Sequence, residues 1–146
     1  MSSRAQYKTE DSFDLSKYLE PERFGAGIWF IIHVHALSYD KRRKPMNGMT
    51  PGEFIRWICE HHPCSQCSKH CSEYILNNPP EDYESRPVYL NDGSTTYYSS
   101  FFWTWKFHNS VNVKIGKPRI SFKRAMTMYE HILAGDKCEK TCSASN

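Results

Sequence analysis

The residues most able to do chemistry in this chain are two cysteines, Cys64 and Cys67, which are separated by two residues. Pro63 precedes them, and the pattern places both cysteines at the start of a predicted helix. The exposed N–H groups and the positive dipole at a helix start stabilise a thiolate, lower the thiol pKa and speed attack on disulfides. The spacing is therefore compatible with a redox-active cysteine pair.

The same C-x-x-C spacing also binds zinc, so by itself it favours redox and metal chemistry about equally. A zinc-stabilised binding module would combine the pair with some of the other cysteines and histidines, which are Cys59, His61, His62, His70, Cys71, Cys138 and Cys142. For such a module, His70, Cys71 or the two tail cysteines are the preferred further ligands. Cys59 and Cys71 are otherwise interpreted as small buried thiols. A thioredoxin-like exchange protein is disfavoured, because no strand–helix–strand pattern surrounds the pair.

Two predicted helix faces combine flat rings with polar groups. Trp29 and His33 lie four residues apart, so they share a face and can hold a planar ligand by stacking. His108 and Asn112 share a face of a later helix, and Asn109 flanks it. Buried polar groups require partners, and cations one turn further on suit a ligand that carries both a ring and phosphates. Beside a redox dithiol, these faces suggest a flavin.

The elements that position these residues are all predicted to be helices, because apolar residues recur at 3.6-residue spacing between capping signals such as Thr50 and Gly116. The predicted helices are 21–39, 51–62, 63–77, 97–115 and 121–133. Residues 79–96 form a long loop, and no segment alternates convincingly as a strand. The order predicts an all-α fold, a four-helix bundle with an additional short fifth helix.

Length and composition are consistent with one globular domain at 18–134, between a flexible arm at 1–17 and a flexible tail at 135–146. With 39% hydrophobic and 24% charged residues, wholesale disorder is excluded. No apolar run reaches the roughly 18 residues of a membrane helix, and a net charge of +3 is too small to argue for nucleic acid. Without a signal-peptide pattern, the chain is expected in the cytosol, where six cysteines indicate metal or redox chemistry.

Three motifs occur together in the chain and in a fixed order. They are Trp29-x3-His33, Cys64-x2-Cys67-x2-His70, and His108-Asn109-x-Val111-Asn112-x4-Lys117-Pro118. Together they resemble the Erv/ALR family of FAD-linked sulfhydryl oxidases, over about residues 21–133. The small size and the long aromatic fourth helix are most similar to family members from large cytoplasmic DNA viruses.

The resemblance implies an enzyme that forms disulfides in proteins. Electrons would pass from substrate thiols through Cys64 and Cys67 to FAD at the end of the bundle, and then to O2, which gives hydrogen peroxide. Cys67 would lie next to the isoalloxazine ring, and Cys64 would accept electrons from outside. The implied cofactor-binding residues are Gly25, Trp29, His33, His70, His108, Asn109, Val111, Asn112, Lys117 and Tyr129. No metal ligand is implied.

The resemblance also implies partners and a location. The substrates would be thiols of thioredoxin-like or virion proteins, the chain would form a homodimer, and it would act in the host cytoplasm, the virus factory and the virion. Cys138 and Cys142 would shuttle electrons to the core pair, since a tether raises the effective concentration to about millimolar. The second structural disulfide of cellular members corresponds to Leu76 and Trp105 here, so apolar packing must join those helices instead.

Overall fold

The computed structural model describes residues 21–42 and 48–134, and this part of the chain is mostly helical. Its helices are α1 (Pro21–Arg42), α2 (Pro51–Glu60), α3 (Ser65–Asn77), α4 (Ser99–Lys114) and α5 (Phe122–Leu133). α1 packs mainly against α4, α2 packs against α3, and α5 contacts both α1 and α4. The predicted all-α bundle with a short fifth helix is confirmed. The predicted arm at 1–17 and tail at 135–146 lie outside the described residues.

Local capping explains where several helices begin and end. The Thr50 hydroxyl accepts the Glu53 N–H at 3.2 Å ahead of α2, and the Ser121 hydroxyl accepts the Arg124 N–H at 3.2 Å ahead of α5. At the other end of α4, Gly116 adopts a φ of +74°, which glycine takes without steric cost. The predicted helix start at Thr50 and helix end at Gly116 are confirmed.

The end of α1 and the segment between α3 and α4 differ from the sequence prediction. α1 continues to Arg42 instead of ending near Tyr39, since basic residues suit the negative C-terminal end of a helix. The segment predicted as a loop contains a 3-10 helix and two antiparallel strands, at Pro80–Asp82, β1 (Val88–Tyr89) and β2 (Thr95–Thr96). No segment of the sequence alternates convincingly as a strand, because these two-residue strands are too short to show alternation.

The start of α4 is fixed by a side chain from α1. α4 begins at Ser99, slightly later than predicted, and its N-cap residue Tyr98 makes no side-chain capping hydrogen bond. Instead the buried Asp40 carboxylate accepts the N–H groups of Ser100 at 3.2 Å and Phe101 at 2.8 Å. A negative charge at this end complements the helix dipole. Asp40 therefore anchors the start of α4 to α1.

We expect Asp40→Ala to lower the free energy of unfolding by about 2–3 kcal/mol, because two buried N–H groups lose a charged acceptor. Asp40→Asn keeps one carbonyl oxygen and should lose less. Denaturant unfolding followed by circular dichroism measures both variants. A loss below about 0.5 kcal/mol for Asp40→Ala, the usual range of a surface substitution, would show that this cap is not needed.

The core consists of two apolar clusters on either side of the α1–α4 contact. The first combines residues of α1 to α4, namely Ile32, Ile55, Cys59, Cys71, Ile75, Trp103 and Phe107. The second joins α5 to the other half of the α1–α4 pair, through Ala36, Leu37, Phe101, Ala125 and Tyr129. Since α1 and α4 contribute to both clusters, they form the frame on which the other helices are positioned.

α2 and α3 are joined by a disulfide between Cys59 and Cys71, whose Cα atoms are 5.6 Å apart. Both residues are buried in the first cluster. The interpretation of these cysteines as small buried thiols was therefore wrong. The bond spans the short connection between two neighbouring helices, where Cys59 comes from the last turn of α2 and Cys71 from the middle of α3. It encloses the segment that carries Cys64 and Cys67.

Aromatic packing joins α3 to α4. The Tyr74 ring lies 4.6 Å from the Phe107 ring and 5.7 Å from the Trp103 ring, and the Trp103 indole donates to the Asn78 carbonyl oxygen at 2.8 Å. Leu76 is 80% exposed and takes no part in this contact. Stacked rings and one hydrogen bond thus connect these helices.

Candidate active site

Cys64 and Cys67 lie at the N-terminal end of α3 as half-buried free thiols. Cys64 is the N-cap residue of the helix, and its Sγ atom accepts the Cys67 N–H at 3.2 Å. This capping contact places the two side chains together at a helix end with a partial positive charge. The structure therefore brings the predicted pair together.

The two thiols of this pair differ in acidity. The hydrogen bond from the Cys67 thiol, followed by the Cys67 N–H, lowers the pKa of Cys64. Burial, followed by the hydrogen bond to Cys64 and the charge on it, raises the pKa of Cys67 to about 11. The sequence predicted a lowered thiol pKa at this helix start, and the structure assigns that property to Cys64. The first thiolate of the dithiol is therefore on Cys64.

His62 is a titratable neighbour of the pair. Its Nδ1 atom accepts the Cys64 N–H at 3.1 Å, and its ring meets the Phe24 ring edge-on at 5.6 Å. The ligand atoms of His62, Cys64 and Cys67 all lie within 4.8 Å of one another. Burial lowers the pKa of His62, so its imidazole is neutral near pH 7. Sequence analysis considered His62 only as a metal ligand.

These three side chains are the one potential metal-binding group found among the described residues. A structural zinc site needs four protein ligands. Cys71, which the zinc hypothesis offered as a further ligand, is not available because it is bonded to Cys59. That part of the zinc hypothesis is wrong.

A second constellation forms where α1 meets α4. The Trp29 ring is stacked on the His108 ring with a centroid distance of 4.0 Å and an interplanar angle of 3°. The His33 Nε2 atom lies 2.9 Å from the His108 Nδ1 atom, and the His33 Nδ1 atom lies 2.8 Å from the Thr104 hydroxyl. The predicted ring faces of the two helices therefore meet as a single cluster, which we call the ring cluster: Trp29, His33, Thr104 and His108.

Both imidazoles of the ring cluster are neutral at pH 7. Burial, with a smaller contribution from His108, lowers the pKa of His33 to about 3. Burial, with a smaller contribution from the Lys117 charge, lowers the pKa of His108 to about 4. Each ring can therefore offer one N–H donor and one lone pair, rather than two donors.

Acidification should destabilise the protein through His33. The unfolded chain begins to bind a proton near pH 6.5, whereas folded His33 does so only near pH 3. The unfolded state binds more protons between these values, so the stabilisation is complete above pH 6.5 and is lost as the pH falls. We expect His33 alone to lower the free energy of unfolding by about 2 kcal/mol between pH 7 and pH 5.

Denaturant unfolding at a series of pH values measures this effect. His33→Gln should flatten the slope of stability against pH. His131→Gln, at an exposed position on α5, is the matched control and should leave the slope unchanged. An equal slope in wild type and in His33→Gln would contradict this assignment.

The ring cluster and the cysteine helix are connected by a series of aromatic contacts. Trp29 contacts Phe107 at 5.1 Å, and Phe107 is stacked on Tyr74 of α3 at 4.6 Å. Tyr74 belongs to the helix that Cys64 caps. The two constellations are therefore held in one packed unit by α1, α3 and α4.

The polar residues that follow His108 differ in the exposure and the hydrogen bonds of their side chains. Asn112 is 6% exposed and its side chain makes no hydrogen bond to any described residue, whereas Lys117 is exposed within electrostatic range of His108. The Asn109 amide bonds the Ile120 backbone twice, donating to its carbonyl at 2.9 Å and accepting its N–H at 3.0 Å. Asn109 thus holds the connection between α4 and α5, and its predicted contact with a cofactor stays a prediction.

The other predicted site residues occupy different settings. A Cβ atom added at Gly25 would meet no atom within 4 Å, so the backbone there is open to a ligand. Val111 packs against the first core cluster, and His70 is half-buried on α3. Tyr129 is buried with its ring 5.0 Å from the His33 ring, and burial raises its pKa to about 12. Cys138 and Cys142 lie outside the described residues.

Sequence reasoning missed two features of the site. Thr104 carries no motif, and it is identified only by its contact with His33. The disulfide between Cys59 and Cys71 had a usable signal, because the two cysteines flank the C-x-x-C pair at similar distances on helices joined by a short turn.

Comparisons with known proteins agree with this geometry. Residues 26–132 match the family model described as the Erv1 / Alr family. An FAD-linked sulfhydryl oxidase of African swine fever virus (isolate Tick/Malawi/Lil 20-1/1983) is 30% identical over 115 residues, covering 73% of this chain and 80% of the relative. Protein 347L of Invertebrate iridescent virus 6, provisionally named an FAD-linked sulfhydryl oxidase, is 31% identical over 100 residues. These residues cover 68% of this chain and 86% of the viral protein.

A cellular relative is more distant. The mitochondrial FAD-linked sulfhydryl oxidase ERV1 of Saccharomyces cerevisiae is 28% identical over 98 residues, which cover 67% of this chain and 46% of the yeast protein. The family match covers both constellations described above, from the α1 ring residues to α5. With its dithiol at the start of α3 and its ring cluster between α1 and α4, the chain belongs to the Erv1/Alr family.

Proposed function

We propose that this protein is an FAD-linked sulfhydryl oxidase that forms disulfide bonds in protein substrates. The observation that carries the proposal is the packing of a free dithiol helix and a ring cluster of neutral histidines and Trp29 into one unit. The names of the viral relatives and the family match support the same activity.

The residues present fit a flavin dinucleotide. The amide of Asn112, a residue that is 6% exposed, makes no hydrogen bond within the part of the chain that the structure describes, and Gly25 leaves open space at the first helix. Lys117 supplies a positive charge beside His108, which suits a phosphate. We infer that Trp29, His33 and His108 hold the adenine end, and that Cys67 lies nearest to the redox-active ring.

The chain's own residues carry out the thiol chemistry. A substrate thiolate attacks Cys64 Sγ of the oxidised pair, the bond to Cys67 breaks, and Cys67 keeps the electron pair. A second substrate thiolate attacks the mixed disulfide, which releases the substrate as a disulfide and Cys64 as a thiolate. The lowered pKa of Cys64 favours that departure, and the same thiolate later closes the disulfide onto Cys67. FAD would supply the two-electron acceptor for this disulfide closure, and reduction of O2 by two electrons and two protons would then give hydrogen peroxide.

Purification of the full chain tests this proposal. We expect a yellow protein with about one FAD per chain, no stoichiometric zinc, and dithiol-dependent O2 consumption that yields hydrogen peroxide. A colourless protein that does not take up FAD, with zinc held by the cysteines, would instead establish the zinc-binding alternative. The zinc-binding alternative is tested because His62, Cys64 and Cys67 lie close enough together to bind a metal ion.

The tail cysteines are proposed as an electron shuttle. We expect a Cys138→Ser/Cys142→Ser variant to keep its turnover on a small dithiol and to lose about tenfold on a folded protein thiol, since tethering raises the local thiol concentration. Oxygen consumption with the two substrates measures this difference. Equal rates of wild type and variant on both substrates would eliminate the shuttle.

We further propose that the chain forms a homodimer and that its substrates are thioredoxin-like or virion proteins. We propose that it acts in the host cytoplasm, the virus factory and the virion. Exposed Phe30 and Ile31 on α1 support dimerisation through the first helix, and sedimentation analysis measures the oligomeric state.

None of the described helices has the length and apolar character that crossing a bilayer requires. The viral relatives support a role in infected cells.

A further inference from the structure

Thr104 is a buried member of the ring cluster and contacts one of its two histidines. Thr104 is 3% exposed, and its hydroxyl contacts two groups: the Phe101 carbonyl oxygen at 2.7 Å and the His33 Nδ1 atom at 2.8 Å. We propose that Thr104 is a positioning residue that fixes the tautomers of His33 and His108, so that His108 offers a bare Nε2 lone pair to a hydrogen-bond donor of the cofactor. This inference rests on the proposed FAD-dependent function.

The direction of the first hydrogen bond follows from the Phe101 carbonyl. A carbonyl oxygen accepts only, so a separation of 2.7 Å between it and the Thr104 hydroxyl oxygen requires the hydroxyl proton to lie between them. Donation from a threonine hydroxyl to a preceding helix carbonyl is common. The hydroxyl then has only lone pairs left for His33, so His33 must carry its proton on Nδ1 and donate it.

The second step transfers this constraint to His108. His33 is neutral, so its Nε2 atom carries a lone pair and accepts from the His108 Nδ1–H across 2.9 Å. His108 is neutral as well, and with its proton on Nδ1 its Nε2 atom is unprotonated. Trp29, stacked parallel to the His108 ring, fixes the plane in which this lone pair lies. The Nε2 atom makes no hydrogen bond to any described residue.

The ligand group opposite this lone pair must therefore donate. In the adenosine half of FAD, the donors are the adenine amino group and the ribose hydroxyls. A carbonyl oxygen in place of the amino group would face the lone pair and repel it. Thr104, whose hydroxyl bonds only His33 and the Phe101 carbonyl among the described residues, thus selects the ligand through two histidine rings.

Nitrogen NMR of the FAD-loaded full chain reads the tautomers directly. We expect His33 and His108 both to be protonated on Nδ1 in the wild type. In Thr104→Val, which lacks the acceptor, we expect His33 to shift its proton to Nε2 and His108 to follow. Thr104→Ser restores the hydroxyl and should restore the wild-type pattern. A wild-type His108 protonated on Nε2 overturns the proposal.

FAD affinity of the full chain gives a second readout. We expect the dissociation constant to rise about tenfold in Thr104→Val and to stay within about twofold in Thr104→Ser. An equal FAD dissociation constant in wild type and Thr104→Val overturns the proposal, even if every variant still binds FAD and is yellow. If Thr104→Val does not fold, Thr104→Ser and the wild-type tautomers decide the outcome.

FAD analogues identify the donor. If the amino group is the donor, an analogue with hypoxanthine in place of adenine should bind the wild type about tenfold more weakly than FAD does. If the ribose 2′-hydroxyl is the donor, an analogue without that hydroxyl should show the same loss. Full affinity for both of these analogues, and for one without the ribose 3′-hydroxyl, overturns the assignment of a donor at His108. Failure of the wild type to bind any flavin would instead refute the proposed function, while the tautomers of the flavin-free chain would still report on Thr104.

Discussion

Cys67→Ser is expected to reduce dithiol-dependent O2 consumption by at least about a thousandfold while the flavin content stays unchanged. A serine hydroxyl cannot form the disulfide with Cys64 through which both electrons leave the substrate. No other described cysteine can substitute, because Cys59 and Cys71 are bonded to each other. An oxygen electrode measures the rate, and the absorbance of the purified variant measures the bound flavin.

The controls separate the redox role from a structural one. Ser65→Ala changes an exposed side chain between the two cysteines and should leave turnover within about twofold. Brief alkylation of the reduced wild type near neutral pH should modify Cys64 first, since its thiol pKa is lowered while that of Cys67 is raised. A Cys67→Ser variant that keeps a tenth of wild-type turnover, or primary alkylation at Cys67, would contradict this assignment.

Much of the site follows from helical periodicity alone. A spacing of four residues places Trp29 with His33, and His108 with Asn112, on common helix faces. The structure brings the first three of these side chains into one cluster, because α1 and α4 pack against each other more extensively than any other pair of described elements. Local capping signals likewise predicted where α2 begins and where α4 ends.

Contacts between distant segments could not be predicted in this way. Asp40 caps a helix that begins about sixty residues later, and Thr104 bonds His33 across a separation of 71 residues. No local spacing reports such pairs, because they depend on how two helices are rotated about their axes. Which of Cys64 and Cys67 has the lowered thiol pKa could not be predicted for a related reason, since it depends on the burial of one sulfur within the fold.

Removal of the disulfide in a Cys59→Ala/Cys71→Ala variant is expected to lower the free energy of unfolding by about 3 kcal/mol. The bond closes a loop across a sequence separation of 12, and closing a loop of this length restricts the unfolded chain by roughly that amount. Both cysteines are also buried in the first core cluster, so alanine leaves small cavities there. Thermal and denaturant unfolding of the flavin-loaded protein measure the loss.

The position of this disulfide makes its effect local as well as global. It joins α2 to α3 on either side of the segment that holds Cys64 and Cys67, so its loss should free the N-terminal turn of α3 before the rest of the bundle. Hydrogen exchange should therefore accelerate first at the Cys67 and Ser68 amides, while amides in the middle of α4, such as Phe107, stay protected. Cys138→Ala/Cys142→Ala is the matched control and should leave both stability and exchange unchanged. An equal stability of the Cys59→Ala/Cys71→Ala variant and the wild type would show that packing alone holds these helices together.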